Sequence, residues 1–103
     1  MMIARWQVEA RFGHMNDVLA LLKRWNEDIG AQIGWTADKV RVLEGSVGAL
    51  ESTVQSEIEI DDLADLGAAW EKLRTSESHG DWGRELEPYI VSGTSRWEIF
   101  RVV

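Results

Sequence analysis

The chain of 103 residues contains no cysteine, which excludes disulfides, thiolate metal sites and cysteine nucleophiles. Cationic residues are in the minority, 11 Lys and Arg against 18 Asp and Glu, giving a formal net charge of −7. That balance suits nucleic acid poorly, because phosphate binding draws its affinity from Lys and Arg. No apolar run approaches the roughly 20 residues of a membrane-spanning helix, so no membrane partner is expected. The opening Met1-Met2-Ile3-Ala4-Arg5-Trp6 lacks a basic segment followed by an apolar stretch, and the expected location is cytoplasmic. Gly45-Ser46-Val47-Gly48 lacks the lysine and following helix of a phosphate loop, and no Gly-x-Ser-x-Gly elbow occurs. The only histidines, His14 and His79, never meet a carboxylate or each other at metal-ligand spacing on one helix face, so no metal is expected.

What is abundant is tryptophan: six in a chain of this length, within 45% hydrophobic and 28% charged residues. The composition is that of a folded domain, and the length supports one domain, 1–103, with one core.

Hydrophobic periodicity orders the chain. Residues 3–12 alternate, with Ala4, Trp6, Val8, Ala10 and Phe12 on one face and Arg5, Gln7, Glu9 and Arg11 on the other, predicting a half-buried strand. After Gly13, Asn16-Asp17 offers a helix start, and Val18, Leu22, Trp25 and Ile29 form one helical stripe that Gly30 would close. Strands follow over about 40–47 and 52–60, joined by a turn at 48–51 whose register Gly45 and Gly48 leave open. Asp61-Asp62 would cap a second helix with Leu63, Leu66, Trp70 and Leu73 inward. Residues 75–82 read as a loop and 84–87 as a helical turn ended by Pro88, before a last strand over 94–103. Two βαβ units with right-handed crossovers give a four-stranded antiparallel sheet of order 4-1-3-2, with both helices on one face.

The other face then carries Arg5, Arg11, Arg41 and Arg96 against Glu9, Glu57, Glu59 and Glu98, among Gln7, Gln55, Leu43, Phe100 and Val102. Four positive charges oppose four negative ones, so the whole −7 falls elsewhere. A solvated sheet face is the simplest account. The preference for arginine and the exposed Leu43, Phe100 and Val102 favour a second copy of the chain instead, because a charge-balanced patch can be self-complementary about a twofold axis. Those eight charged residues are the expected homodimer interface.

This order of elements, the segment Glu57-Ile58-Glu59-Ile60-Asp61-Asp62-Leu63, and the ending Glu87-Pro88-Tyr89-Ile90-Val91-Ser92-Gly93 before Trp97-Glu98-Ile99-Phe100 resemble the dimeric α/β-barrel superfamily. The resemblance spans nearly the whole chain and is to small NIPSNAP-like and antibiotic-biosynthesis-monooxygenase-like members. It implies an α+β, ferredoxin-like βαββαβ domain, two copies of which pack their sheets into one barrel. Members include cofactor-independent oxygenases, haem-degrading enzymes, isomerases and domains without known activity, so the likeness marks the fold and not a reaction.

Two catalytic candidates emerge, each with a plainer reading. His79, in Ser76-Glu77-Ser78-His79-Gly80-Asp81-Trp82, is near acids that would raise its pKa and orient its ring; it also reads as an exposed loop histidine. His14, at the junction of strand one and helix one, would close the open end of a cavity, or simply serve the turn beside Gly13. Trp70 and His79 resemble the tryptophan and histidine ligand of small haem-degrading relatives. The first-strand asparagine of those enzymes is absent, with Gln7 the nearest amide and on the opposite face, so haem stays a distant alternative to no cofactor.

Trp6, Trp25, Trp70 and Trp97 fall on inferred core faces, whereas Trp35 and Trp82 fall in loops, where they would gate a pocket, seal the dimer or shield core edges. The four are read as packing or, alternatively, as an aromatic-lined cavity, with Trp6, Trp70, Trp97 and Trp82 as its expected lining. The leading function is accordingly the binding of a small apolar or aromatic molecule, with no reaction assigned. A cofactor-independent monooxygenase of an aromatic substrate, assisted by His14 or His79, is the first alternative. A structural or interaction subunit with a closed core is the second. Whether the chain is an enzyme stays open at this point.

Overall fold

In a computed structural model describing residues 1–103, the N-terminal alternation forms β1 (Met2–Glu9). Ala4 and Val8 point fully inward, as period two requires. The strand is shorter than the alternation predicts. Ala10 makes one further bridge, to Ile90, and Gly13 then turns the chain at φ 85°, a conformation costly for any residue with a Cβ. Phe12, expected in the core, is therefore fully exposed, and Arg11 lies beyond the sheet with its Nε donating to the Ile90 carbonyl at 2.9 Å.

Helix α1 (Met15–Asp28) buries Val18, Leu22 and Trp25, the expected stripe. Its cap position is His14 rather than Asn16, and Gly30 opens a 3₁₀ turn (Gly30–Ile33) instead of closing the helix. A Cβ on Gly30 would come within 2.8 Å of the Trp25 ring, so the indole packs directly against the glycine. A second 3₁₀ turn (Ala37–Lys39) leads into β2 (Val40–Glu44), which stops three residues before the predicted end. There Gly45 is required, because a Cβ would collide with the Leu50 carbonyl. The register is settled by Val40 opposite Ile58 and Glu44 opposite Val54 in β3 (Thr53–Ile60).

Helix α2 (Leu63–Arg74) is capped as expected, the Asp62 carboxylate accepting the Asp65 backbone N–H at 2.8 Å. Leu66, Ala69 and Leu73 are its buried face, whereas Leu63 and Trp70, both expected inside, are exposed. Most of the expected loop at 75–82 is helical: Ser76 caps α3 (Glu77–Leu86), its hydroxyl accepting from the His79 backbone N–H, and the helix takes in residues 84–86 of the predicted turn. Trp82 and Leu86, one turn apart, are buried on its inner face. A 3₁₀ turn through Pro88 (Glu87–Tyr89) then leads to β4 (Arg96–Arg101).

The sheet is antiparallel throughout, in the order β2-β3-β1-β4, which is the predicted 4-1-3-2 read from the other edge. With its helices and single sheet the molecule is an α+β, ferredoxin-like domain. No helix is long and apolar enough to cross a membrane.

Candidate functional site

The helix-covered side of the sheet is not filled. A cavity of about 670 Å³ lies between the sheet and the three helices, within the usual size of small-molecule sites. Its floor is Trp6 on β1, Ser56 and Ile58 on β3, and Trp97 on β4. Its walls come from Leu22 and Trp25 of α1, Trp70 and Leu73 of α2, and His79, Trp82 and Leu86 of α3. Trp35, from the connection after α1, closes one side. All six tryptophans of the chain thus face one space.

Five of these rings, with His79, form a continuous path. Trp82 stacks on His79 at 6.2 Å, His79 meets Trp25 edge-on at 6.0 Å, and Trp25 touches Trp35 at 5.9 Å. Trp35 continues to Trp97 at 6.3 Å, which meets Trp70 edge-on at 5.6 Å. Such tilted contacts are the arrangements that aromatic quadrupoles favour. Trp25 is buried as expected, but the burial expected of four other rings is inverted. Trp35 and Trp82, assigned to loops, are almost wholly buried, whereas Trp70 and Trp97, assigned to the core, are 41% and 36% exposed at the mouth. Helix α3 carries Trp82 inward.

Few polar groups reach this space. Trp25 Nε1–H donates to His79 Nδ1 at 3.0 Å, while Trp6 and Trp82 donate to Ser95 Oγ at 2.8 Å and the Leu21 carbonyl at 2.7 Å. Because His79 Nδ1 accepts, the neutral ring carries its proton on Nε2. Burial pushes the His79 pKa below its ordinary 6.5. The expected upward push from acids is absent for a geometric reason: Glu77 and Asp81 lie on the outer face of α3, where Asp81 pairs with Arg84. Arg74 is the one cation of the lining, and it is bonded to Glu71 at 2.9 Å.

His14 lies elsewhere. Its Nδ1 bonds Asp17 at 2.9 Å and its ring rests 5.2 Å from Tyr89, so it closes a helix end and does not line the cavity. For haem, His79 would offer a single Nε2 and Arg74 a single cation, leaving a second propionate unmatched; this lining fits such a group poorly. No cluster of three or more His, Asp or Glu side chains is placed to hold a metal ion. A second groove, of about 690 Å³, runs between α1 and β2 behind Trp35. Lys23, Glu27 and Glu44 replace aromatics there.

The opposite sheet face is built differently. Glu57, only 6% exposed, receives Arg5 Nε at 2.9 Å and Arg41 Nη2 at 2.6 Å. Burial works against its ionisation, but the two guanidinium groups outweigh it and hold its pKa below 4.5. The Arg5 guanidinium also covers the Phe100 ring at 4.8 Å. Gln55 donates to Gln7 at 2.7 Å, and Glu9 accepts from Ser52 and Thr53 at 2.6 and 2.8 Å. Arg96 and Glu98 approach to 3.5 Å, Glu59 is exposed with no ion pair, and Arg11 is off the face altogether.

No protein-family model and no curated protein matches the sequence. Solved structures do match the fold. A NIPSNAP family protein from Agrobacterium tumefaciens superposes with a TM-score of 0.80 at 19% identity, over 99% of this chain and 85% of that one. An antibiotic biosynthesis monooxygenase matches at 0.65 and 12% identity, over 100% and 99% of the two chains. A dimeric protein of unknown function and ferredoxin-like fold from Bacteroides fragilis matches at 0.60 and 16% identity, over 98% and 96%. The fold is thus the one shared by NIPSNAP proteins and this monooxygenase.

Proposed function

We propose that the protein binds a small, flat, apolar or aromatic molecule in the tryptophan-lined cavity and does so as a homodimer. The convergence of all six tryptophans on one open space carries the ligand reading. A closed structural core would collapse such a void, because each face without neighbouring atoms forfeits its dispersion contacts. The dimer reading rests on the opposite face, where Leu43, Phe100 and Val102 stand 38–46% exposed around a charge-balanced patch, and it has a parallel in the dimeric neighbour from Bacteroides fragilis. One observation favours a second reading, cofactor-independent oxygenation of the ligand: the half-buried His79 imidazole lines the cavity and is suited to moving a proton. A phenol and O₂ would then give a quinone and water.

The test is calorimetric titration with naphthalene, for which saturable binding is expected. Gly83 lies at the rim, and a Cβ there would meet nothing within 4 Å. Gly83→Leu should therefore fold at least as stably, since glycine costs helices about 1 kcal/mol, while losing most of the affinity. A folded wild-type chain that binds no planar arene would overturn the cavity reading. Light scattering that gives a monomer at micromolar concentration would overturn the dimer.

A further inference from the structure

Two polar atoms of the cavity have no partner within the protein. Ser56 is 5% exposed on β3, flanked along the strand by Val54 and Ile58 and set opposite Trp6 and Val42. Its hydroxyl makes no hydrogen bond to any protein group, although no sealed side-chain polar atom in the molecule lacks a partner. The Oγ must therefore open onto the space that Ser56 lines. A hydroxyl so placed is unfavourable beside apolar neighbours unless something within the cavity bonds it. The second atom is His79 Nε2. With Nδ1 taken by Trp25, Nε2 is the free nitrogen of a ring fixed between Trp82 and Trp25.

Resting on the cavity reading above, we propose that Ser56 Oγ and His79 Nε2 are the orienting anchors of the site, and that its ligand is an uncharged arene bearing a hydroxyl or ring carbonyl oxygen. The chemistry of the donor set selects this class. Nε2–H can only donate, so it requires an acceptor oxygen on the ligand, and the serine hydroxyl can give or accept a second bond. An amine would find no carboxylate in the lining, and a carboxylate would find only Arg74, already held by Glu71. Burial keeps the imidazole neutral at pH 7, so it presents a donor without a net charge. The indole path supplies flat walls for the rings, and the two anchors decide which way the molecule lies.

The experiment compares naphthalene, 2-naphthol and 2-naphthoate by calorimetry at pH 7. One added hydrogen bond should make 2-naphthol bind about tenfold more tightly than naphthalene, with 2-naphthoate the weakest. Ser56→Ala, which removes only a hydroxyl, should bring 2-naphthol at least threefold closer to naphthalene while leaving naphthalene within about twofold of its wild-type affinity. His79→Phe should act alike. Equal affinity for naphthalene and 2-naphthol, an undiminished naphthol advantage in Ser56→Ala, or tightest binding of 2-naphthoate would each overturn the anchor assignment and leave the cavity reading standing. Failure of all three probes to bind the folded wild-type chain would remove the cavity reading itself.

Discussion

The two faces of the same sheet use polar atoms in opposite ways. On the open face almost every polar side chain is answered from within the chain: Arg5 and Arg41 by Glu57, Gln55 by Gln7, Ser52 and Thr53 by Glu9. Beneath the helices polar atoms are scarce, yet Ser56 Oγ and His79 Nε2 lack any protein partner. The face rich in charge is internally satisfied and can accept a flat, complementary neighbour. The face poor in charge leaves these two hydrogen-bonding atoms unused by the protein and so open to a ligand. Unpartnered groups in a dry surrounding, rather than the number of charges, mark where recognition takes place.

The sharpest way to break this contrast is to remove the wall that defines the hollow face. Trp25 touches Trp35, Trp82 and His79 and lies on Gly30. Trp25→Ala should cost about 3–5 kcal/mol in urea unfolding, the range for buried aromatic truncations. It should also raise the His79 pKa toward 6.5, because the ring loses its cover, while the Glu57 cluster stays unchanged. A cost under about 1 kcal/mol would mean that the indoles line the cavity without supporting it.

The contrast was only partly legible in the residues. The alternation of apolar and polar residues in β1 and β3 announces both faces directly, and in β3 Val54, Ser56, Ile58 and Ile60 are all buried on the helix side. The Asp62 cap and the α1 stripe are equally local signals. Helix α3 is obscured by Ser78, Gly80 and Gly83, poor helix formers that outweigh the Trp82 and Leu86 spacing. Missing that helix displaced His79 and Trp82 to a loop and hid the burial of Trp82. Ser56 gave no signal at all, since one serine in an alternating strand is unremarkable until its neighbours are known. The Trp25–His79 bond joins residues 54 apart and is a property of the assembled fold alone.

An intermediate effect comes from acid, which should reach the two faces in turn. The unfolded chain takes up a proton at a histidine near pH 6.5, whereas folded His79 resists it. The stability due to His79 neutrality is therefore complete above pH 6.5 and falls as the pH drops below that value. Glu57, held below 4.5, contributes stability that is complete above 4.5 and is lost as the pH falls through its folded value; Asp38, lowered by the Thr36 hydroxyl, adds to the same lower window. Urea midpoints measured from pH 8 to 3 should show both losses. His79→Gln should erase the upper one, and Glu57→Gln the lower one at a cost of about 1–2 kcal/mol near neutrality. A profile flat between pH 7 and 5 would show that His79 titrates alike in both states.

The smallest expected change tests the open face most cleanly. Arg96 and Glu98 are 59% and 40% exposed at 3.5 Å, a geometry worth about 0–1 kcal/mol in a monomer. Arg96→Ala should accordingly shift monomer unfolding by less than about 0.5 kcal/mol. If a second chain covers this face, the same pair loses its water, and truncating one partner leaves the other charge buried; such losses reach about 2 kcal/mol or more in desolvated interfaces. The dimer constant of Arg96→Ala, measured by sedimentation, should then weaken by about tenfold or more while the monomer stays unaffected. Salt separates the cases further, because an exposed pair is screened within a Debye length of about 10 Å at 0.1 M and a covered pair is not. An association constant identical to wild type would return the face to solvent and leave the cavity as the molecule's one recognition surface.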